Sequence, residues 1–295
     1  MAGKWSVAAV AACFVMLASA AATAAPPPGT PDVSTMTLQA SDFPGATATG
    51  QLVENTALLQ AYDRLIRLKS PYGSSHYLEL ESIAILASDT ATAAQGYARL
   101  GHTFSSKAGR LRIVKEFEKG ANVSFTSTKL VKPRPLGVSD SSMEIGFVAK
   151  VNGRTLDVSV SLLRLDRVVI EDAAIGTGKT VAKADGIALT KLAASHTAAA
   201  LIPLQVSVPT ITGTVAQGQT LTASTGGWGD SPTAFTYQWQ RCDATGTTCA
   251  DVAGATASAY AVTAADAGAT LRVNVTATNR FGSVPASSVV TGVVS

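Results

Sequence analysis

Two alternating apolar runs joined by asparagine–glycine restrict the fold of this chain more than any other stretch. In "MEIGFVAKVNGRTLDVSVSL", Met143, Ile145, Phe147, Ala149 and Val151 take every second position, as do Leu156, Val158, Val160 and Leu162. A side-chain period of two belongs to a strand, whose successive residues point to opposite faces. Asn152-Gly153 between the runs suits a type I′ turn, in which both central residues need positive φ. An antiparallel hairpin with one apolar face is therefore expected.

The stretches around it extend the same reading. A second hairpin is expected from "AYDRLIRL" to "SHYLELESIAIL", turning at Ser70-Pro71-Tyr72-Gly73. Its first arm has two readings, because Leu58, Ala61, Leu65 and Leu68 also fit a helical stripe; strand is preferred. After Asp89, a suitable N-cap, Ala93, Tyr97, Leu100 and Phe104 follow helical spacing. Gly96 and Gly101 weaken that helix by about 1 kcal/mol each relative to alanine. "RLRIVKEFEKG" mixes Arg110, Arg112, Lys115 and Lys119 with Glu116 and Glu118, as a solvated helix does rather than a membrane-binding one. "KLVKPRP", with Lys129, Lys132 and Arg134 among prolines, reads as a protected edge strand, with contact to an anionic polymer as the alternative. "VAKADGIALTKLAASHTAAAL" gives a last helix, whose packed face is expected along Ala184, Ala188, Leu192 and His196. Residues 35–202 should then form an α+β domain, an antiparallel sheet with helices on one side.

The order of these elements resembles extracytoplasmic α+β domains of actinobacteria, namely the external sensor domain of the PknH kinase type and the LpqN type of lipoprotein. "DFPGATATGQ", Asp42 to Gln51, is similar to secreted proteins of the same layout. The resemblance implies an external binding or sensing domain and transfers no particular site.

From Val208 the composition shifts to threonine, alanine, glycine and valine. In "FTYQWQR", Phe235, Tyr237 and Trp239 share one face; in "TLRVNVTATN", Leu271, Val273 and Val275 do. Short alternating runs between turn signals point to an all-β sandwich over residues 210–295, after a linker at 203–209. The pattern "TYQWQRC…C…GAT…Y…T…AD.G..LRV.VTATN..G" resembles bacterial immunoglobulin-like domains of exported actinobacterial proteins. That resemblance makes Trp239 the core tryptophan of the third strand and places Asp266-x-Gly268 at the turn into the penultimate one. Arg272 stands where antibody-type domains carry the second inter-sheet cysteine, and Thr270 replaces the tyrosine-corner tyrosine. Trp239 is then expected to pack on aliphatic side chains.

The first residues give an address. Lys4, the apolar run Trp5 to Leu17 and the A-x-A pattern at Ala22 and Ala24 read as a signal peptide over 1–25, with a proline-rich segment at 26–34. The apolar run is too short for a comfortable membrane span, and no later stretch reaches the roughly 18 apolar residues of a transmembrane helix. "VAAC" ending at Cys13 is similar to a lipobox, so lipoprotein anchoring is the alternative to ordinary cleavage and secretion. Cleavage leaves Cys242 and Cys249 in an oxidising setting, where a disulfide is the default. Their C-x6-C spacing suits neither redox motifs nor zinc ribbons, and a bridge around "DATGTT" would clamp a hairpin. Loop-closure entropy puts its contribution at about 2.5 kcal/mol.

Candidate chemistry is sparse. "AIGTGKT" resembles a phosphate loop, but the first glycine of G-x-x-x-x-G-K-[ST] falls on Ala173, so a loop between the last strand and last helix is expected around Gly178-Lys179-Thr180. His76, His102 and His196 lie on separate elements without metal-ligand spacing. Glu79 and Glu81 share a strand face, as two glycosidase carboxylates would, and are expected to be solvated. No G-x-S-x-G string is present. The net charge of +3 is too small for phosphate-driven nucleic-acid binding. The expectation is an exported, non-enzymatic binding or sensing protein without metal or cofactor. Its partner would be an envelope polymer, a small apolar ligand or a surface protein. The alternative is an envelope hydrolase with an accessory immunoglobulin-like module.

Overall fold

The computed structural model describes residues 28–53 and 60–295. The signal segment, Cys13 and Leu58 lie outside them. The chain divides into two compact units, one ending at Ala200 and one running from Leu201 to Ser295 together with residues 28–31.

The first unit is a mixed α+β fold on one sheet. Its elements are β1 (Thr47–Val53), β2 (Gln60–Tyr72), β3 (Tyr77–Leu86), α1 (Thr90–Ser105), α2 (Lys107–Ala121), β4 (Ser127–Pro135), β5 (Ser141–Val151), β6 (Arg154–Leu165), β7 (Val168–Gly176) and α3 (Lys183–Ala200). Seven strands pair antiparallel in the order β1-β2-β3-β7-β6-β5-β4. The asparagine–glycine hairpin joins β5 to β6, with Val151 opposite Arg154 and positive φ at Asn152 and Gly153. The β2–β3 turn lies at residues 73–76, later than expected, because β2 continues through Pro71 with a register shift between Arg67 and Tyr72. Asp89 caps α1, accepting from Thr92 N at 2.7 Å.

The expectation of helices on one side of the sheet is wrong. On one face Ile145, Phe147, Val158, Val160, Leu162 and Ile175 pack with Leu100 and Phe104 of α1 and Ile113, Val114 and Phe117 of α2. The alternate residues point the other way, and there α3 covers the sheet: a Cβ on Gly186 would fall 2.2 Å from Glu144 Oε1. Every residue of β7 is buried, as a strand covered on both faces must be. The packed face of α3 is also different from the expected one. Gly186, Leu189, Thr190, Ala193, Ala194 and Thr197 are buried, whereas Ala184 and Ala188 are exposed. These small side chains let the helix lie close over a polar sheet face, which apolar periodicity does not reveal.

The second unit is all β. β9 (Ile211–Thr212), β10 (Thr220–Ala223) and β14 (Ala259–Ala261) form one sheet; β12 (Ala234–Cys242), β13 (Cys249–Asp251), β15 (Thr270–Asn279) and β16 (Gly282–Ser287) form another. Leu221 and Tyr260 from the first share a core with Trp239, Leu271, Val273 and Val275 from the second. Trp239 stacks on Tyr260 at 5.3 Å and donates Nε1–H to Ala257 O, so its neighbour is aromatic and not only aliphatic. Within the stretch expected as a linker, β8 (Leu204–Ser207) pairs with β11 (Gly227–Gly229).

Candidate binding site

A groove runs beside the sheet edge formed by β1. Tyr62 and Arg64 leave β2 on the same side, two residues apart, and Gly50 of β1 stands opposite Arg64. A Cβ on Gly50 would lie 2.4 Å from the Tyr62 hydroxyl oxygen, so glycine is what lets the ring lie over β1. The Arg64 guanidinium sits 5.1 Å from the centre of that ring, within cation–π range. Its Nη1 donates to Gln39 Oε1 and to Leu38 O. Asp42 fixes the opposite wall: it accepts from Gln39 N at 2.7 Å, and His196 Nε2 of α3 lies 3.0 Å from its carboxylate. The groove encloses about 330 Å³ between Gln39–Ser41 on one side and Tyr62 and Arg64 on the other, with Ala48–Gly50 as floor. Arg64 is the charged residue of this lining.

Deeper in the same unit, carboxylates are buried on both sheet faces. Beneath α1 and α2, Glu171 and Asp63 flank Ile83 across the ladder, and Glu81 is the next residue of β3 on that face. Burial, then repulsion from Asp63 and Glu171, pushes the Glu81 carboxyl up to about 9. Burial, then Asp172, takes Glu171 to about 8. Glu171 has no hydrogen-bond partner for either oxygen, and Glu81 Oε2 and Asp63 Oδ1 also have none. On the α3 face, burial raises Asp172 to about 7, opposed by the Ser82 hydroxyl that donates to it at 2.6 Å. Glu144 is also raised by burial, despite Ser159 and Arg134.

The glycine loop between β7 and α3 has its own anion. Gly178 N donates to Asp157 Oδ1 at 2.7 Å, and Cβ atoms on Gly176 and Gly178 would collide with Ser75 O. The loop therefore wraps an internal carboxylate, not a phosphate. Burial still lifts Asp157 to about 6, against the Gly178 hydrogen bond. Asp185, in the first turn of α3, accepts from Ser75 N and the Ser74 hydroxyl, and thereby closes the β2–β3 turn onto the helix. What Asp157, Asp172, Glu171 and Glu81 can do chemically is hold protons near neutral pH.

The structure scatters the residues that sequence singled out. Glu81 is 3% exposed, so the expectation of a solvated glutamate pair is corrected: strand alternation put it on a face that α1 covers. Glu79, at the rim, pairs with Arg67 at 3.3 Å. His76 lies in the β2–β3 turn with Nδ1 3.0 Å from Ser74 O, and His102 is exposed in the last turn of α1. His196 alone meets a carboxylate, that of Asp42. β4 is an edge strand, and its Arg134 turns inward to the fully buried Glu144. Cys242 and Cys249 stand opposite each other in the β12–β13 ladder with sulfurs at bonding distance, 2.02 Å. Among the described residues no group of three or more His, Cys, Asp or Glu could hold a metal ion, and no helix is long and apolar enough to cross a membrane. Sequence reasoning missed Tyr62, Arg64 and Gly50, which carry no motif. It also missed Glu171-Asp172, although two acids inside the apolar run "VVIEDAAIG" were a visible signal.

No family model matches the chain, and no curated protein matches it. Among solved structures it is similar to the extracellular domain of PknH from Mycobacterium tuberculosis, at 7% identity and a TM-score of 0.35, over 57% of this chain and 98% of that one. Similarity of this depth identifies neither a shared site nor a shared ligand.

Proposed function

We propose that the chain is an exported, non-enzymatic binding or sensing protein of the cell envelope or medium. Its first unit makes the contact through the Arg64–Tyr62 groove. The second unit, read as an immunoglobulin-like module, spaces or attaches the first. The observation that carries this reading is the groove: a guanidinium held over an aromatic ring, beside an open strand edge, is built for recognition. The joined cysteines support the address, since a disulfide persists outside the cytoplasm. The partner classes remain an envelope polymer, a small apolar ligand or a surface protein.

Native mass spectrometry of the protein from its producing cells tests this. The expected species begins near Pro26, has lost two hydrogens to the bridge, and retains a ligand that Arg64→Gln releases. Recovery of the unprocessed chain from the cytosol would overturn the address, and a ligand indifferent to Arg64→Gln would overturn the site. The alternative, an envelope hydrolase, has the His196–Asp42 pair in its favour, beside Ser41 at the groove wall. It requires ester or glycoside turnover that His196→Ala abolishes.

A further inference from the structure

The two edges of the seven-stranded sheet are built to opposite rules. β4 carries Lys129, Lys132 and Arg134 with Pro133 and Pro135, and its pairing shifts register between Val131 and Arg134. Charge, proline and irregularity of this kind keep other strands from adding to an edge. β1 reads "TATGQLV": no charge, no proline, and unbroken register with β2 from Thr47 to Val53. Residues 47–52 are exposed, Leu52 by 54%.

We propose that β1 is a docking edge, where an extended polypeptide segment of another protein adds as an eighth strand and presents an acidic side chain to Arg64. This rests on the binding reading above and names its partner class. Gly50 makes room for the Tyr62 ring over β1, and so places that ring and Arg64 on one face of the edge an incoming strand would pair with. Main-chain hydrogen bonds give such strand addition its affinity, and side-chain pockets give its specificity. Arg64 supplies the pocket: its Nη1 donates to Leu38 O and Gln39 Oε1, and it is the charged side chain of the groove lining. A carboxylate is the group that two parallel guanidinium N–H bonds fit best.

Two other occupants fit less well. A second copy paired through β1 would bring two Arg64 side chains to one face, and "TATGQLV" has no acid to meet either. A sugar polymer would stack on the Tyr62 ring, but Arg64 already covers that ring.

The test uses the full chain with seven-residue peptides of alternating threonine and valine, carrying one glutamate placed at each position in turn. Labelled-peptide anisotropy gives affinity, and amide hydrogen exchange gives location. Strand addition slows exchange across residues 47–53. The best glutamate peptide loses about tenfold in affinity when its glutamate becomes lysine, or when Arg64→Gln is introduced. N-methylation of alternate peptide amides abolishes binding, and this arm decides the matter even if Arg64→Gln fails to fold. Absence of protection at 47–53 with every peptide overturns the proposal. So does protection that grows with protein concentration alone, which would mean self-pairing. Arg64-dependent binding of polygalacturonate without protection at 47–53 keeps the groove as a binding site and overturns strand addition. If neither probe binds, both readings fall.

Discussion

Asp266 in the second unit and Glu171 in the first are almost equally shielded from water, at 0% and 2% exposure, yet their surroundings are opposites. Asp266 accepts from Thr263 N and hydroxyl, from the Tyr260 hydroxyl and from Arg241. Burial works to raise its pKa, but these donors outweigh it and hold the carboxyl below its ordinary value. Glu171 has no donor for either oxygen and sits among other acids. The second unit uses a carboxylate as a charged tie between a turn and a strand. The first accumulates carboxylates that fold best when protonated. One is a device for rigidity, the other a store of protons.

The comparison breaks first at Asp266. Asp266→Ala leaves the buried Tyr260 hydroxyl, two donors of Thr263 and the partly exposed Arg241 without their acceptor, which costs about 1–3 kcal/mol. Denaturant unfolding of the chain from Pro26 onward, followed by tryptophan fluorescence, reads this selectively, since its tryptophans, Trp228 and Trp239, both lie in the second unit. A loss below about 1 kcal/mol, the worth of an ordinary hydrogen bond, would show that Asp266 is no tie.

The two units should also respond to pH with opposite sign. Acids raised by folding keep their protons longer in the folded chain than in the unfolded one. The first unit is therefore most stable in acid and weakens as pH climbs from the ordinary carboxylate range, through about 6 and 7 for Asp157 and Asp172, to about 9 for Glu81. Its thermal midpoint should fall by on the order of 10 °C between pH 5 and pH 9. Circular dichroism at the helix band follows it, because α1, α2 and α3 all belong to the first unit. In the second unit Asp266 and Asp243 are held low, the latter by the hydroxyl and amide donors of Thr245 and Thr247. Their contribution is present above the ordinary carboxylate range and lost below it, so the tryptophan signal should be flat over the same interval. Parallel curves for the two signals would refute the distinction.

Replacing Cys242 and Cys249 by serine should cost the second unit about 2.5 kcal/mol, from the freedom regained by a loop of this length. The helix-band transition should not move.

How much of this was readable in advance depended on whether the deciding contact was local. The β5–β6 hairpin follows from Asn152-Gly153, and the cap of α1 from Asp89, each a few residues long. The protected edge followed from Lys129, Lys132 and Pro133 in the same way. The polar face of the sheet did not. Glu144, Asp157, Ser159 and Ser161 alternate with apolar neighbours as solvated residues would, and only the small residues of α3, far along the chain, put them in the dark. The groove needed Gly50, Tyr62 and Gln39 to meet Arg64 through pairing that no single stretch encodes. Charge placed by tertiary packing is what sequence periodicity describes least well, and here it includes the residues of greatest functional interest.

The finest test exchanges one oxygen for a nitrogen. Glu171→Gln keeps the shape of the side chain, removes its ability to ionise and supplies two N–H donors near Glu81 Oε2 and Asp63 Oδ1, which have none. If proton storage is what distinguishes this unit, the gain must depend on pH. At pH 5 wild-type Glu171 is already neutral, and the variant should match it within about 0.5 kcal/mol. By pH 9 the unfolded wild-type chain has ionised Glu171 freely while the folded chain has held its proton up to about 8, so the variant should be more stable by on the order of 4 kcal/mol. A gain equal at both pH values would come from packing or hydrogen bonding alone, and the buried acids would then be ordinary core residues.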